Sequence, residues 1–208
     1  MWPAEPLACR RHTCRYGRAV PAPDVTVATV DDRVTVVDSL VAAFVKDPVL
    51  RYLFPDEATY PRYAAAFFGH LFDKRVHRQS IWTIGRGASV AIWQPPGPPE
   101  GGKPPLPADE LARVDAYGDA LHAALPGGPF WYLGVLGTHP DHAGNGWGRV
   151  VMAEGLRRAA ADGLPAILET SNPGNVELYR RAGWQVIDTV EDPLPIWIMR
   201  QQARNTGK

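Results

Sequence analysis

A chain of 208 residues with no net formal charge and 45% hydrophobic residues has the material for one apolar core, which argues against wholesale disorder. Neutrality also argues against nucleic acid or a membrane surface as partner, since both recruit a strongly positive field. No stretch approaches the roughly 18 apolar residues of a membrane span and no secretory apolar region opens the chain, so the cytoplasm is the expected compartment.

Both cysteines, Cys9 and Cys14, fall in the first two dozen residues with His12 between them, beside Arg10, Arg11, Arg15 and Arg18. A closed zinc site takes four ligands, and there is no second pair to complete one. No metal is expected, and residues 1–24 are expected to be a flexible extension ahead of a single domain at 25–208. The β-branched run Val25-Thr26-Val27-Ala28-Thr29-Val30 predicts the first strand. Asp31 or Asp32 is then placed to cap a helix with Val34, Val37, Leu40, Val41 and Phe44 at helical spacing, stopped by Asp47-Pro48. A second helix, Tyr60 to about Val76, is aromatic on one face through Tyr63, Phe67, Phe68 and Phe72. Short strands at 81–84 and 89–93 flank Gly85 and Gly87, which predicts a hairpin.

Residues 95–107 are dense in proline and glycine and predict no regular structure. A helix follows, with Leu111, Val114, Leu121 and Leu125 at helical spacing, and stops at Pro126-Gly127-Gly128. The segment of about 95–130 is therefore expected as an insertion carrying a helix, packed as a lid over a substrate site. The last third alternates: strand 131–138, helix 147–162, strand 166–170, helix 173–182, strand 185–190, strand 196–200. Such alternation with short links implies an α/β fold with a parallel pair and a right-handed crossover.

The chemistry concentrates after residue 131. Gly134 and Gly137 interrupt a strand, as glycines do at a bulge or where something approaches the backbone. His139-Pro140-Asp141-His142 then leads into Ala143-Gly144-Asn145-Gly146-Trp147-Gly148, and a helix begins. A glycine-rich turn at a helix N-terminus gathers unpaired N–H groups and a dipole that favours anions. Arg149 occupies the position of the last glycine of a dinucleotide-binding fingerprint, and no Gly-Lys-Ser/Thr occurs. Further on, Asn172 is a good N-cap before Pro173, Gly183 suits a helix C-terminus, and Asn175 and Tyr179 share one helical face.

On these residues the chain resembles the GNAT superfamily of N-acetyltransferases, from Trp131 to Trp184 and into the last strand, Trp197-Ile198-Met199-Arg200. The family phosphate motif, Gln/Arg-x-x-Gly-x-Gly/Ala, falls on Ala143 to Gly148, and its Asn-x-x-x-Tyr…Gly-aromatic pattern on Asn175, Tyr179, Gly183 and Trp184. Glu169-Thr170-Ser171-Asn172-Pro173 and the terminal strand are similar to the puromycin acetyltransferase-like branch. The resemblance implies a GNAT-type mixed, partly parallel sheet flanked by helices, with an inserted helix before the fourth strand. Ala143 departs from the motif where Gln or Arg is expected, although its backbone N–H is expected to remain available. Asn145 stands where a basic residue is common and Trp147 where an aliphatic one is.

The implied reaction moves an acetyl group from acetyl-coenzyme A to a primary amine of a small molecule, with no metal. An alkyl ammonium must lose its proton first, at a cost of roughly 4–5 kcal/mol near pH 7, so a base is useful. Glu169, at the end of the second parallel strand, is the candidate base, acting through water, or else it only orients the neighbouring backbone; the resemblance makes Tyr179 the acid for the leaving thiolate. It also implies that Leu136 supplies an N–H to the thioester oxygen and that Gly137 and Thr138 pair with pantetheine. Ala143, Gly144, Asn145, Gly146, Trp147, Gly148, Arg149, Asn172 and Asn175 complete the expected cofactor contacts. Phe44, Tyr52, Phe67, Phe68, Trp93 and Phe130 favour an aromatic acceptor pocket. A protein-directed N-acetyltransferase, a non-catalytic acyl-coenzyme A module and a homodimer all remain compatible with this sequence.

Overall fold

The computed structural model describes residues 24–98 and 101–203; the expected N-terminal extension, with Cys9 and Cys14, lies outside them. Seven strands form one sheet in the order β1-β2-β3-β4-β5-β7-β6. They are β1 (Val25–Val27), β2 (Ile81–Ile84), β3 (Ser89–Gln94), β4 (Trp131–Thr138), β5 (Ala166–Thr170), β6 (Gln185–Val190) and β7 (Ile196–Gln201). Every neighbouring pair is antiparallel except β4 and β5. That parallel pair is joined through helix α5 (Trp147–Ala161), and α6 (Pro173–Arg181) leads from β5 to β6. Ahead of β4 come α1 (Arg33–Ala43), α2 (Pro48–Leu53), α3 (Tyr60–Arg75) and α4 (Ala108–Ala124). This is the mixed sheet the sequence predicts, with a helix before its fourth strand. Among the described residues no helix is long and apolar enough to cross a membrane.

Two local expectations fail, both at aspartates. The first strand stops at Val27, because Val30–Asp32 turn into a single 3-10 turn. The Asp32 carboxylate closes that turn, accepting from Thr29 N–H at 2.8 Å and from Arg86 Nε at 2.6 Å, so it does not cap α1. Asp47 does not stop the first helix, which has already ended at Ala43. It begins the next one: its Oδ1 accepts from the N–H groups of Val49 and Leu50 at 2.9 and 3.1 Å, with Pro48 at the first helical position.

Helices α1 to α4 pack on one face of the sheet, and α5 and α6 on the other. Strand alternation sorts the side chains: Val90 and Ile92 of β3 face α1–α4, while Ala91 and Trp93 face α5. In β4 the alternation breaks. Trp131 and Leu133 face α5, but Val135 faces α1–α4. The register explains it, since Ile92 pairs with Val135 and Trp93 with Leu133, leaving Gly134 as an extra residue in a bulge. Gly137 serves packing instead, because a Cβ there would lie 2.7 Å from Leu40 and 2.8 Å from Phe44.

Helix α4 belongs to the core. Tyr117 and Leu121 are buried, and Leu111, Val114 and Leu125 pack against the cluster formed by α1 to α3. The apolar stripe of the expected lid helix is thus covered by the core, and its Tyr117 also reaches a cavity at the sheet.

Candidate active site

Pairing between β4 and β5 covers only Trp131–Leu133 against Ala166–Leu168. Beyond it the strands part, immediately after the bulge at Gly134. The C-terminal half of β4 keeps β3 as its partner on one side, while its other edge opens. An open strand edge offers backbone donors and acceptors to whatever enters.

A cavity of about 110 Å³ lies at this opening. Gly134, Val135 and Leu136 of β4, Glu169, Thr170 and Ser171 at the end of β5, and Asn175 and Tyr179 of α6 line it. Phe44, Phe67 and Phe68 form an aromatic wall, with ring centroids 5.3 Å apart for Phe44–Phe68 and 5.6 Å for Phe67–Phe68. Asp47 from α2 and Tyr117 from α4 complete the rim. A larger groove between α5 and β7 is lined mostly by alanines and shares no residue with this cavity.

Burial pushes the Glu169 carboxyl up to about 7; the hydrogen bond from the Tyr132 hydroxyl opposes that shift and the Asp47 charge adds to it. Glu169 is half-buried in the cavity wall, so its charge is poorly hydrated. Burial likewise raises Asp47 despite the two N–H groups it caps. Tyr179 is raised far above its ordinary range by burial and by the charges of Glu169 and Asp47, so it holds its proton. Its ring packs edge-on against Trp184 at 6.1 Å, which makes it a core aromatic and a cavity wall at once. Among the described residues no cationic side chain lines the cavity, and its two ionisable carboxyls both favour a positive guest.

The glycine loop forms a separate feature at the start of α5. Gly144 and Gly146 take φ values of +83° and +75°, which a side chain rarely tolerates, and Gly146 is the N-cap. Among the described residues, no backbone group accepts from the N–H groups of Gly144, Asn145, Gly146, Trp147 or Gly148. Ala143 differs from expectation, because its N–H donates to the Pro140 carbonyl at 3.1 Å and is not free. The Arg149 N–H donates to the Gly146 carbonyl at 3.1 Å, and the Asn145 side chain to the His142 carbonyl at 3.1 Å. Trp147 is held by stacking on His142, with centroids 5.0 Å apart.

The predicted residues therefore form two groups. Leu136, Glu169, Asn175 and Tyr179 meet at one cavity, and Gly144 to Gly148 form the anion-ready turn. Asn172 caps α6 through Gly174 N–H at 2.9 Å, and Asn175 lies 3.5 Å from the Thr170 hydroxyl. Thr138 bonds Ser89 at 2.8 Å. Of the expected pocket aromatics, Phe44, Phe67 and Phe68 line the cavity, Phe130 borders a neighbouring one, and Trp93 is sealed beneath α5. Tyr52 packs against the α1–α4 core. Four residues were missed: Asp47, Tyr117, Tyr132 and Ser171. Asp-Pro is a helix-start signal, and Tyr117 falls on the α4 stripe between Val114 and Leu121, so two of them left a trace. Tyr132 left none, because its direction depends on the bulge.

Residues 111–184 match the model of the Acetyltransferase (GNAT) family. The match begins inside α4 and runs through the bulged strand, the glycine loop, Glu169 and Tyr179. Solved structures share the fold. A histone acetyltransferase HPA2 and related acetyltransferase from Corynebacterium glutamicum superposes with a TM-score of 0.61 at 24% identity, covering 89% of this chain and 99% of its own. Arylalkylamine N-acetyltransferase 2 from Aedes aegypti gives 0.60 at 9% identity, over 86% and 98%. The ribosomal-protein-S18-alanine N-acetyltransferase from Escherichia coli gives 0.52 at 16% identity, over 89% and 96%. Residues 111–184 thus carry the sequence pattern of that family, and the described chain shares the fold of these acetyltransferases.

Proposed function

We propose that the protein transfers an acetyl group from acetyl-coenzyme A to the primary amine of a small molecule. The observation that carries this reading is one cavity lined by Glu169, raised to about 7, together with the proton-retaining Tyr179 beside the open edge of β4. A base is most effective when its pKa lies near working pH, and an acid must still hold its proton there. The two groups differ in that sense.

In the reaction the ammonium gives one proton to Glu169, and the neutral nitrogen attacks the thioester carbonyl. A backbone N–H of β4 near Leu136 stabilises the oxyanion. Collapse breaks the carbon–sulfur bond, and Tyr179 protonates the thiolate. The second nitrogen proton restores Tyr179, and the first passes from Glu169 to solvent. The pyrophosphate is held by the N–H groups of Gly144 to Gly148 at the positive end of α5. Leu136, Gly137 and Thr138 line the path of the pantetheine arm, with Asn172 and Asn175 on the opposite wall. Ala143 contributes neither a side chain nor a free N–H, and Asn145 and Arg149 contribute at the exposed rim. The resemblance to the puromycin acetyltransferase-like branch adds to the small-molecule reading.

Relatives with the same fold are named for arylalkylamines and for a ribosomal protein. The aromatic wall and small cavity favour the first kind of acceptor, as a compact amine with an apolar body fills such a space. The test is Gly146→Asp, which sets a negative side chain against the bound pyrophosphate. Calorimetry should find acetyl-coenzyme A binding in wild type and none in the folded variant. Equal affinity in both would reduce the loop to a turn.

A further inference from the structure

The cavity carries two hydroxyls that the acetyl-transfer chemistry does not use. Tyr117, 9% exposed, and Ser171, 7% exposed, both line it, and neither Tyr117 Oη nor Ser171 Oγ has a hydrogen-bond partner among the described residues. They come from different elements, the middle of α4 and the end of β5. The Tyr117 hydroxyl lies near both Ser171 and Glu169, in positions that make no hydrogen bond to either, so the three groups share one corner of the cavity. Leaving such groups unpaired costs roughly 1–3 kcal/mol each, and most buried polar groups in folded proteins are paired. Two buried hydroxyls without a hydrogen bond, both on residues that line one small space, point to a guest that pairs with them once the wall gives way slightly.

We propose that Tyr117 and Ser171 are specificity-determining residues that hydrogen-bond a neutral polar substituent, a hydroxyl or amide carbonyl, close to the amine of the acceptor. This rests on the acetyl-transfer reading and names the acceptor class within it. The charge of the cavity limits the substituent. With Glu169 and Asp47 on its walls and no Lys, Arg or His there among the described residues, a carboxylate beside the amine would be repelled. A hydroxyl serves both partners, as each can donate or accept. The substrate is therefore an amino alcohol or amino amide with an apolar body against Phe44 and Phe68, and amino acids are poor acceptors.

The test compares matched acceptors: propylamine, 3-amino-1-propanol and β-alanine, then 2-phenylethylamine and its ring-hydroxylated analogue. In wild type, one member of a hydroxylated pair should exceed its parent in kcat/KM by roughly fivefold to tenfold, the worth of one neutral hydrogen bond. β-Alanine should be the weakest. Tyr117→Phe, which keeps the ring and its packing, should remove that preference mainly through KM, and Ser171→Ala should reduce it. Acetyl-coenzyme A affinity should stay unchanged in both. The same hydroxylated-to-parent ratio in wild type and Tyr117→Phe overturns the proposal, as does a wild type with no preference. Calorimetry of the same amines reads the ratio without turnover. If no amine is acetylated, the acetyl-transfer reading fails, while the binding ratios still decide the fate of the hydroxyl pair.

Discussion

The two faces of the sheet are packed to different ends. On the α5 side the packing is closed: Gly155 lies so tightly over the Trp93 ring that a Cβ would fall within it, and Trp93, Val151 and Met152 are sealed from solvent. On the α1–α4 side an equally apolar set of residues stops short of closure at the parting of β4 and β5. Polar groups gather there, including Glu169, Asp47, Tyr117 and Ser171. A void lined by hydrocarbon alone would be a plain loss of contacts, whereas one lined by carboxyls and hydroxyls is shaped to receive a ligand. In the proposed function the closed face supports the sheet and the open face takes the substrate.

Tyr179 belongs to both sides, and the largest effect is expected there. Tyr179→Phe should lower turnover by roughly 10²–10⁴, the range for a lost acid catalyst, while its ring stays packed on Trp184 and melting barely moves. Steady-state thiol release with calorimetry of acetyl-coenzyme A separates the two roles. Unchanged turnover would leave Tyr179 a core residue only.

Next in size is the closed face. Gly155→Val forces branched bulk into Trp93 and should destabilise by about 3 kcal/mol or more, as overpacking does. Gly134→Ala faces a milder obstacle, since its Cβ would lie 3.3 Å from the Tyr132 ring. Melting curves of the two variants should therefore differ widely, and equal losses would mean that the faces are not distinct.

Glu169 gives the open face a pH signature. Its folded-state pKa of about 7 stands above its ordinary 4.5, so folding favours the protonated form. As pH rises between these values the unfolded chain releases a proton that the native chain keeps, and stability falls through that window by up to about 3 kcal/mol. Glu169→Gln keeps an acceptor for Tyr132 and removes the charge. It should melt higher than wild type at pH 8, match it at pH 4, and lose most activity. Wild-type kcat/KM should fall about tenfold per pH unit below 7. A stability gap independent of pH would contradict the burial argument.

The smallest effect separates charge from capping at Asp47. Asp47→Asn keeps the oxygen that caps α2 and should leave stability within about 0.5 kcal/mol, whereas Asp47→Ala should lose about 1 kcal/mol. Thermal unfolding of the pair distinguishes them; equal losses would show that the negative charge, not the cap, supports the helix.

The order and type of almost every element after residue 60 were legible in the sequence, as was the glycine loop, and the two residues proposed as base and acid, Glu169 and Tyr179, do line one cavity. These are local properties: apolar period, capping residues, and glycines at positions needing positive φ all act over a few neighbours. Where local rules allowed two outcomes it erred, as at Asp32 and Asp47, each able to end one element or begin another. Only the tertiary structure decided that Gly134 is the bulged residue and Gly137 the packing one. Register against β3 makes that choice, and strand pairing joins residues more than 40 positions apart. The same bulge turns Val135 toward α1–α4 while Tyr132 reaches Glu169. Tyr117, Ser171 and Asp47 likewise became one site only when α4, β5 and α2 converged, because a cavity is a property of elements distant in sequence and has no period to betray it.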